Sequence, residues 1–364
     1  MGQHTIFQER ITAVRQKLNE WEVDGVLVTS PANRRWLSGF TGSNGQLLVT
    51  ANKALIATDF RYYAQAGREA PDFALFKHQR TLADTQDFLA ESGAKTVGLE
   101  AKYVTLASMI ELEEVKGVTW KPLLLTLEPL RLRKTAVEVK AIQEACAITD
   151  DVMAQVPHIA RAGMSEREVA WELEKTLRQA GAEALAFDIL VASGPNSALP
   201  HHHPGERCLQ AGDPLIVDMG AQVDGYKSDM TRSFYLGAKA SVHYFELYQL
   251  VLRAQTAVFQ NAKPGMSLKA VDAIARNMLD RAGHADHFGH GLGHGLGLGI
   301  HEDPLLSPRA SDEDTIEVGT IVTIEPGCYL PDWGGIRLEE TALMTDAGLV
   351  PLTHCPKVPG IAMK

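Results

Sequence analysis

The chain has 364 residues, with 35 Lys+Arg against 45 Asp+Glu and a formal net charge of −10. At roughly 150 residues per domain this length holds about two domains, and 45% hydrophobic with 22% charged residues is the make-up of a packed globular protein. The acidic balance argues against a nucleic-acid partner, whose phosphates need a basic face, and no segment approaches the ~18 uninterrupted apolar residues of a membrane span.

The opening MGQHTIFQER lacks the basic-then-apolar order of a signal peptide. Gly2 fails as a myristoylation site because Ile6 stands where Ser or Thr is needed. Cys146, Cys208, Cys328 and Cys355 are scattered and form no CxxC. Reduced thiols and a cytoplasmic location are the expectation.

Residues 1–125 alternate helical and strand signals. ITAVRQKLNEWEV (11–23) has a helical period, and GVLVTS (25–30), GQLLVT (45–50), ALIATD (54–59) and TVGLE (96–100) read as strands, with a helix near 80–92. This predicts a small α/β domain. The stretch 126–139 mixes Pro129 with Arg131, Arg133 and Lys134 and reads as a connection, followed by a long helix.

Residues 140–364 read as a second domain with an internal repeat. Gly163-Met164-Ser165 recurs as Gly265-Met266-Ser267, and at the same spacing Val169, Leu177 and Gly181 recur as Val271, Leu279 and Gly283. Each copy reads as a turn, a helix and a glycine stop, and Ser165 with Glu168 forms a capping box. After each helix comes a hairpin-like stretch with two acids: Asp218 and Asp229 in 214–237, then Glu325 and Glu339 in 320–345. Two similar halves, each offering two carboxylates from β-strands, predict one site at their seam.

A carboxylate inside an apolar strand is costly to bury unless it is paired or binds a cation. Asp218 directly follows Leu215-Ile216-Val217, and Glu325 follows Ile321-Val322-Thr323-Ile324. Between the two strand stretches, 284–302 brings His284, His287, His290, His294 and His301 among closely spaced glycines. HExxH is absent, and no Gly-x-Gly here has the further glycine of a dinucleotide fingerprint, nor is there a P-loop. Oxygen-rich ligation with an imidazole suits Mn²⁺, Co²⁺ or Zn²⁺. Four carboxylates balance the charge of two divalent ions, which favours a two-metal hydrolase.

The ordered motifs DMG (218–220), SDMTR (228–232), GLGHGLG (291–297), TIEPG (323–327) and IRLEET (336–341) resemble those of the "pita-bread" metallopeptidases of family M24. Within that family they are most similar to the prolidase and aminopeptidase P branch, over about 140–355. NRRWLSGFTGS (33–43) and TDFRYY (58–63) are similar to that branch's creatinase/prolidase N-terminal domain.

The resemblance implies an α/β N-terminal domain and an α+β catalytic domain with pseudo-two-fold duplication. It implies two divalent ions, Mn²⁺ first and Co²⁺ or Zn²⁺ next. Asp218, Asp229, His294, Glu325 and Glu339 would be the ligands, with Asp229 and Glu339 bridging. It implies that Glu325 acts as general base and then acid, and that His201 contacts substrate. His290 and His301 would hold substrate and stabilise the oxyanion. Apart from the resemblance, Glu302 directly follows His301 and is expected to orient its ring. Arg337 would be a supporting or substrate-binding arginine. The substrate would be a proline-containing peptide, with an Xaa-Pro dipeptidase placed ahead of an Xaa-Pro aminopeptidase, and the assembly a homodimer. The alternatives are a metal-free binding module and a creatinase-like hydrolase on the same fold. One departure stands out: His202 and His203 follow His201 where the family has a small residue.

Overall fold

A computed structural model of the chain describes residues 3–237 and 240–360. The chain divides into two compact units, Met1–Arg131 and Leu132–Lys364, and the division falls within the 126–139 connection.

The first unit is built on a six-stranded sheet. Its strands are β1 (Gly25–Val28), β2 (Gln46–Thr50), β3 (Ala54–Thr58), β4 (Ala74–Lys77), β5 (Thr96–Glu100) and β6 (Thr119–Leu123). They lie in the order β4-β3-β2-β1-β5-β6. The pairs β1–β2, joined through a helix, and β2–β3, joined by a tight turn, are antiparallel, and the crossovers to β4, β5 and β6 make parallel pairs. The first helix runs Gln3–Lys17, not 11–23. Its apolar period continues to Val23 only because a turn carries it: Glu22 takes φ 52, and the Val23 N–H donates to the Leu18 carbonyl. A further helix, Pro31–Ser38, is capped by the Ser30 side chain and stopped by Gly39 at φ 79. Its Arg34 guanidinium donates to the carbonyls of Gly42 and Gly45, so part of the NRRWLSGFTGS motif holds its own loop.

The second unit carries the repeat. Helix Glu166–Gln179 begins at Ser165 with the expected capping box, and helix Leu268–Arg281 begins at Ser267. Gly163 and Gly265 enter them at φ 85 and φ 82, and Gly181 and Gly283 follow them at φ 104 and φ 83. Even the short bridges match, Ser165 to Cys208 and Ser267 to Thr315.

The strands of the first half are β7 (Ala184–Leu185), β8 (Leu190–Ser193), β9 (Pro214–Met219), β10 (Ala221–Val223), β11 (Tyr226–Lys227) and β12 (Met230–Tyr235). Those of the second are β13 (Gly293–Gly295), β14 (Glu302–Leu306), β15 (Ile321–Ile324), β16 (Gly327–Leu330), β17 (Gly334–Arg337), β18 (Glu340–Thr345) and β19 (Gly348–Pro351). In each half a long antiparallel pair, β9–β12 or β15–β18, encloses a smaller hairpin, β10–β11 or β16–β17. Each pair packs on its own repeated helix. Val169, Leu173 and Leu177 share a core with Val191, Leu215, Val217 and Phe234. Val271, Ala275 and Leu279 share one with Val322, Ile324, Ala342 and Met344. Among the described residues no helix is long and apolar enough to cross a membrane.

Candidate metal centre

The two strand pairs are stitched together where their acids stand. The Thr341 hydroxyl donates to the Asp229 carbonyl at 2.8 Å and accepts from its N–H at 3.2 Å. The Glu339 N–H donates to the Thr231 carbonyl at 3.1 Å. Arg232 of β12 is buried in an ion pair with Glu340 of β18 at 2.9 Å. This seam explains why carboxylates sit in apolar strands: β9 and β12 bring Asp218 and Asp229 to it from one half, and the chain around β15 and β17–β18 brings Glu325 and Glu339 from the other.

A cleft of about 500 Å³ opens there, and its lining includes Asp218, Asp229, Glu325, Glu339, His201, His290, His294, His301 and Arg337. The nine residues expected as ligands or as catalytic or substrate-binding groups therefore share one cleft, while His284 and His287 do not line it. One oxygen each of Asp229 and Glu339 and one ring nitrogen of His294 lie within 4.8 Å of one another. His294 Nε2 stands 3.7 Å from both Asp229 Oδ2 and Glu325 Oε1.

His294 owes its place to glycine. It lies on β13 between Gly293 and Gly295, where an added Cβ would stand 1.9 Å from the Thr323 carbonyl oxygen and 2.2 Å from that of Asp303, respectively. Its Nδ1–H donates to the Gly295 carbonyl at 3.0 Å, which leaves the lone pair on Nε2, the atom facing the carboxylates. Burial pushes its pKa down to about 4, so the ring is a neutral donor.

The electrostatics are those of acids crowded out of water. Burial pushes all four carboxyls above their ordinary range. Asp229 rises well above it, driven next by the charges of Glu339, Asp218 and Glu325. Glu339 does likewise beside Glu325 and Asp218. Glu325 is pushed up to about 8, with the Arg337 charge opposing. Cations would hold such a cluster ionised. The donor set passes a second test for fit. Among the described residues Asp218 Oδ1 is buried without a hydrogen-bond partner within 3.5 Å, while its Oδ2 accepts from Arg337 at 2.7 Å.

Arg337 is itself buried and has its donors committed. Nε donates to Thr231 Oγ1 at 3.0 Å, and Nη1 to the Pro200 carbonyl and the Tyr329 hydroxyl. Of its two expected roles, geometry favours support of Asp218 over contact with substrate. His290 is also engaged at both nitrogens. Nδ1–H donates to the Gly291 carbonyl at 2.8 Å, so Nε2 accepts from the Tyr329 hydroxyl at 2.9 Å. His301 differs: it is exposed, and its ring meets His294 edge-on with centroids 4.4 Å apart. Glu302, expected to orient the His301 ring, accepts from the Gly299 N–H at 2.7 Å and pairs with Lys134.

The His201 loop explains the departure at 202–203. His202 Nε2 lies 2.7 Å from Glu166 Oε2, a wholly buried carboxylate at the start of its helix. Glu166 also accepts from Ser193 N–H and Oγ, Asn196 Nδ2 and Gly205 N–H. It thus anchors the loop on both sides of His201, which is left exposed toward the cleft with His203.

The sequence reading missed Tyr329, Thr231, Thr323 and Glu166. Two had a signal. Thr231 and Thr323 stand two residues from Asp229 and Glu325, the strand spacing that returns a side chain to the same face. They bind acids there: the Thr231 hydroxyl donates to Glu339 at 2.7 Å, and that of Thr323 to Glu325 at 3.4 Å.

Residues 140–346 match Metallopeptidase family M24, and 10–133 match the Creatinase/Prolidase N-terminal domain. An Xaa-Pro dipeptidase of Pyrococcus furiosus is 34% identical over 95% of this chain and 98% of its own. Among solved structures, an Xaa-Pro dipeptidase from Bacillus anthracis is similar at a TM-score of 0.94 and 36% identity, covering 97% of this chain and 99% of that one. An X-Pro aminopeptidase from Thermotoga maritima gives a TM-score of 0.87 at 32% identity, covering 95% and 99%.

Proposed function

We propose that this chain, which belongs to metallopeptidase family M24 and is a peptide-bond hydrolase, cleaves Xaa-Pro dipeptides with two divalent ions held at the seam. The observation that carries the reading is the cluster itself: four carboxylates from two related strand pairs, two buried and two partly open to the cleft, with the His294 Nε2 standing 3.7 Å from two of them.

Asp218, Asp229, His294, Glu325 and Glu339 would hold the ions. Asp229 has the charges of the other three acids around it, which supports a bridging place; Glu339, bound to Thr231, would be the second bridge. When bound, the ions supply Lewis-acid polarisation of the scissile carbonyl and a nucleophile at neutral pH. Mn²⁺ is our first assignment, on the oxygen-rich donor set. Glu325, with its side chain partly open to the cleft, takes the proton of the attacking water and delivers it to the departing proline nitrogen. His301 donates to the developing oxyanion, since it is exposed at the cluster's edge. His201 meets the substrate from the opposite loop. His290 acts through Tyr329, whose hydroxyl it accepts and Arg337 steadies.

Similarity to a dipeptidase and to an aminopeptidase leaves a second reading, an Xaa-Pro aminopeptidase acting on longer peptides. Product analysis on Ala-Pro, Ala-Pro-Ala and longer peptides, with Mn²⁺ supplied, separates the two. Faster cleavage of Ala-Pro supports the dipeptidase, and cleavage confined to longer peptides selects the aminopeptidase. Metal-loaded protein that cleaves none of them overturns both. We further propose a cytoplasmic homodimer; light scattering showing a monomer at micromolar concentration would count against that assembly.

A further inference from the structure

Two of the five histidines between His284 and His301 take no part in the cleft. His284 precedes a single 3₁₀ turn, Ala285–His287. Such a turn eclipses side chains three residues apart. Both imidazoles therefore leave it on one side, with their Nδ1 atoms 3.1 Å apart and ring centroids separated by 5.3 Å. Cys328 of β16 is wholly buried beside them. One ring nitrogen from each histidine and the Cys328 sulfur all lie within 4.8 Å of one another.

We propose that His284, His287 and Cys328 form a second metal site, distinct from the carboxylate cluster, that takes one borderline-soft divalent ion of the Zn²⁺ class. Two imidazoles and a thiolate are the donor types such an ion selects, whereas the carboxylate cluster contains no sulfur. Two nitrogens bound to one tetrahedral ion at about 2.0–2.1 Å would lie roughly 3.3 Å apart. The observed 3.1 Å needs little adjustment. Both histidines are partly exposed while the cysteine is buried, so an ion has an entry side and a fourth position open to water.

Burial lowers the pKa of His284, so its ring is neutral and ready to donate a lone pair. Burial also pushes the Cys328 thiol up to about 12, so binding must expel the thiol proton to solvent. The ring that donates in the Nδ1···Nδ1 hydrogen bond moves its proton to Nε2, freeing both Nδ1 atoms. These costs make the site weaker than one with a preformed thiolate and tighter as pH rises.

Co²⁺ titration of the full chain tests this, in a Cys208→Ser background that removes the exposed thiol. The expected result is a thiolate-to-cobalt charge-transfer band, which oxygen and nitrogen ligands cannot give. One bound equivalent and the band should disappear together in Cys328→Ser, and again in His284→Gln and in His287→Gln. The histidine variants keep the test decisive if Cys328→Ser fails to fold. A titration to saturation with no such band overturns the site, as does a band that survives both histidine substitutions. In that case the Nδ1···Nδ1 contact is a structural hydrogen bond only.

Discussion

Arg337 donates from Nη2 to one oxygen of Asp218 at 2.7 Å, and the other oxygen of that carboxylate is buried without a hydrogen-bond partner within 3.5 Å among the described residues. The protein has fixed half of the group and left half for something outside its own chain. Through Nε on Thr231, whose hydroxyl holds Glu339, the same guanidinium also indexes a second acid. A lysine would keep the charge but lose the planar fork that reaches both. Arg337→Lys is expected to lower metal affinity or turnover by about 10–100-fold, the scale of a lost outer partner. Unchanged metal affinity and turnover would show that Arg337 does not position Asp218.

The site was more legible than its supports, for a physical reason. Asp218 and Glu325 betray themselves locally, because an acid closing an apolar strand has to be compensated. Their repetition behind matching helix punctuation at Ser165 and Ser267 pointed to the seam. The partners of Glu166, from Ser193 to Gly205, depend instead on how a loop folds back over a helix start. No periodicity encodes that return. The bond from Tyr329 to His290 likewise joins segments whose meeting is set by sheet register and not by any motif. The first helix was overread to Val23 because a turn can bury an apolar residue as well as another helical turn does.

Glu166 gives the next prediction. Its carboxylate satisfies donors on both sides of His201 and pairs with His202. Glu166→Gln puts a donor among donors, so at least one bond becomes a clash of N–H groups. A loss of about 2 kcal/mol is expected, the scale of a hydrogen bond to a charged group. It should appear as a lowered Tm, with KM for the peptide raised more than kcat is lowered, because His201 is displaced while the acids are not. Wild-type KM with wild-type stability would refute the anchoring role.

His301 separates chemistry from scaffolding. The ring is exposed, which argues against a buried structural role for this histidine. His301→Ala should therefore leave Tm and metal content intact. Turnover should fall by about 10²-fold or more, as when one oxyanion donor is removed. KM should move much less, since the contact is made in the transition state. Normal turnover per metal-loaded molecule would remove His301 from the reaction.

Metal removal should leave its mark on the pH dependence of stability. In chelated protein the clustered acids hold protons more tightly when folded than when unfolded; Glu325 moves from 4.5 to about 8. Between those values the folded state binds more protons, so stability is fully present below the lower value and is lost as pH rises toward the upper one. His290 and His294 act in the opposite sense, but their shift from 6.5 down to about 4 confines their effect to lower pH. The window from about 6.5 to 8 therefore belongs to the acids. Across it, the Tm of chelated protein should fall, and adding Mn²⁺ should abolish the fall, because the ions replace the protons as counter-charge. A chelated protein whose Tm holds steady or climbs over that window would mean that the four carboxylates do not repel one another at the seam.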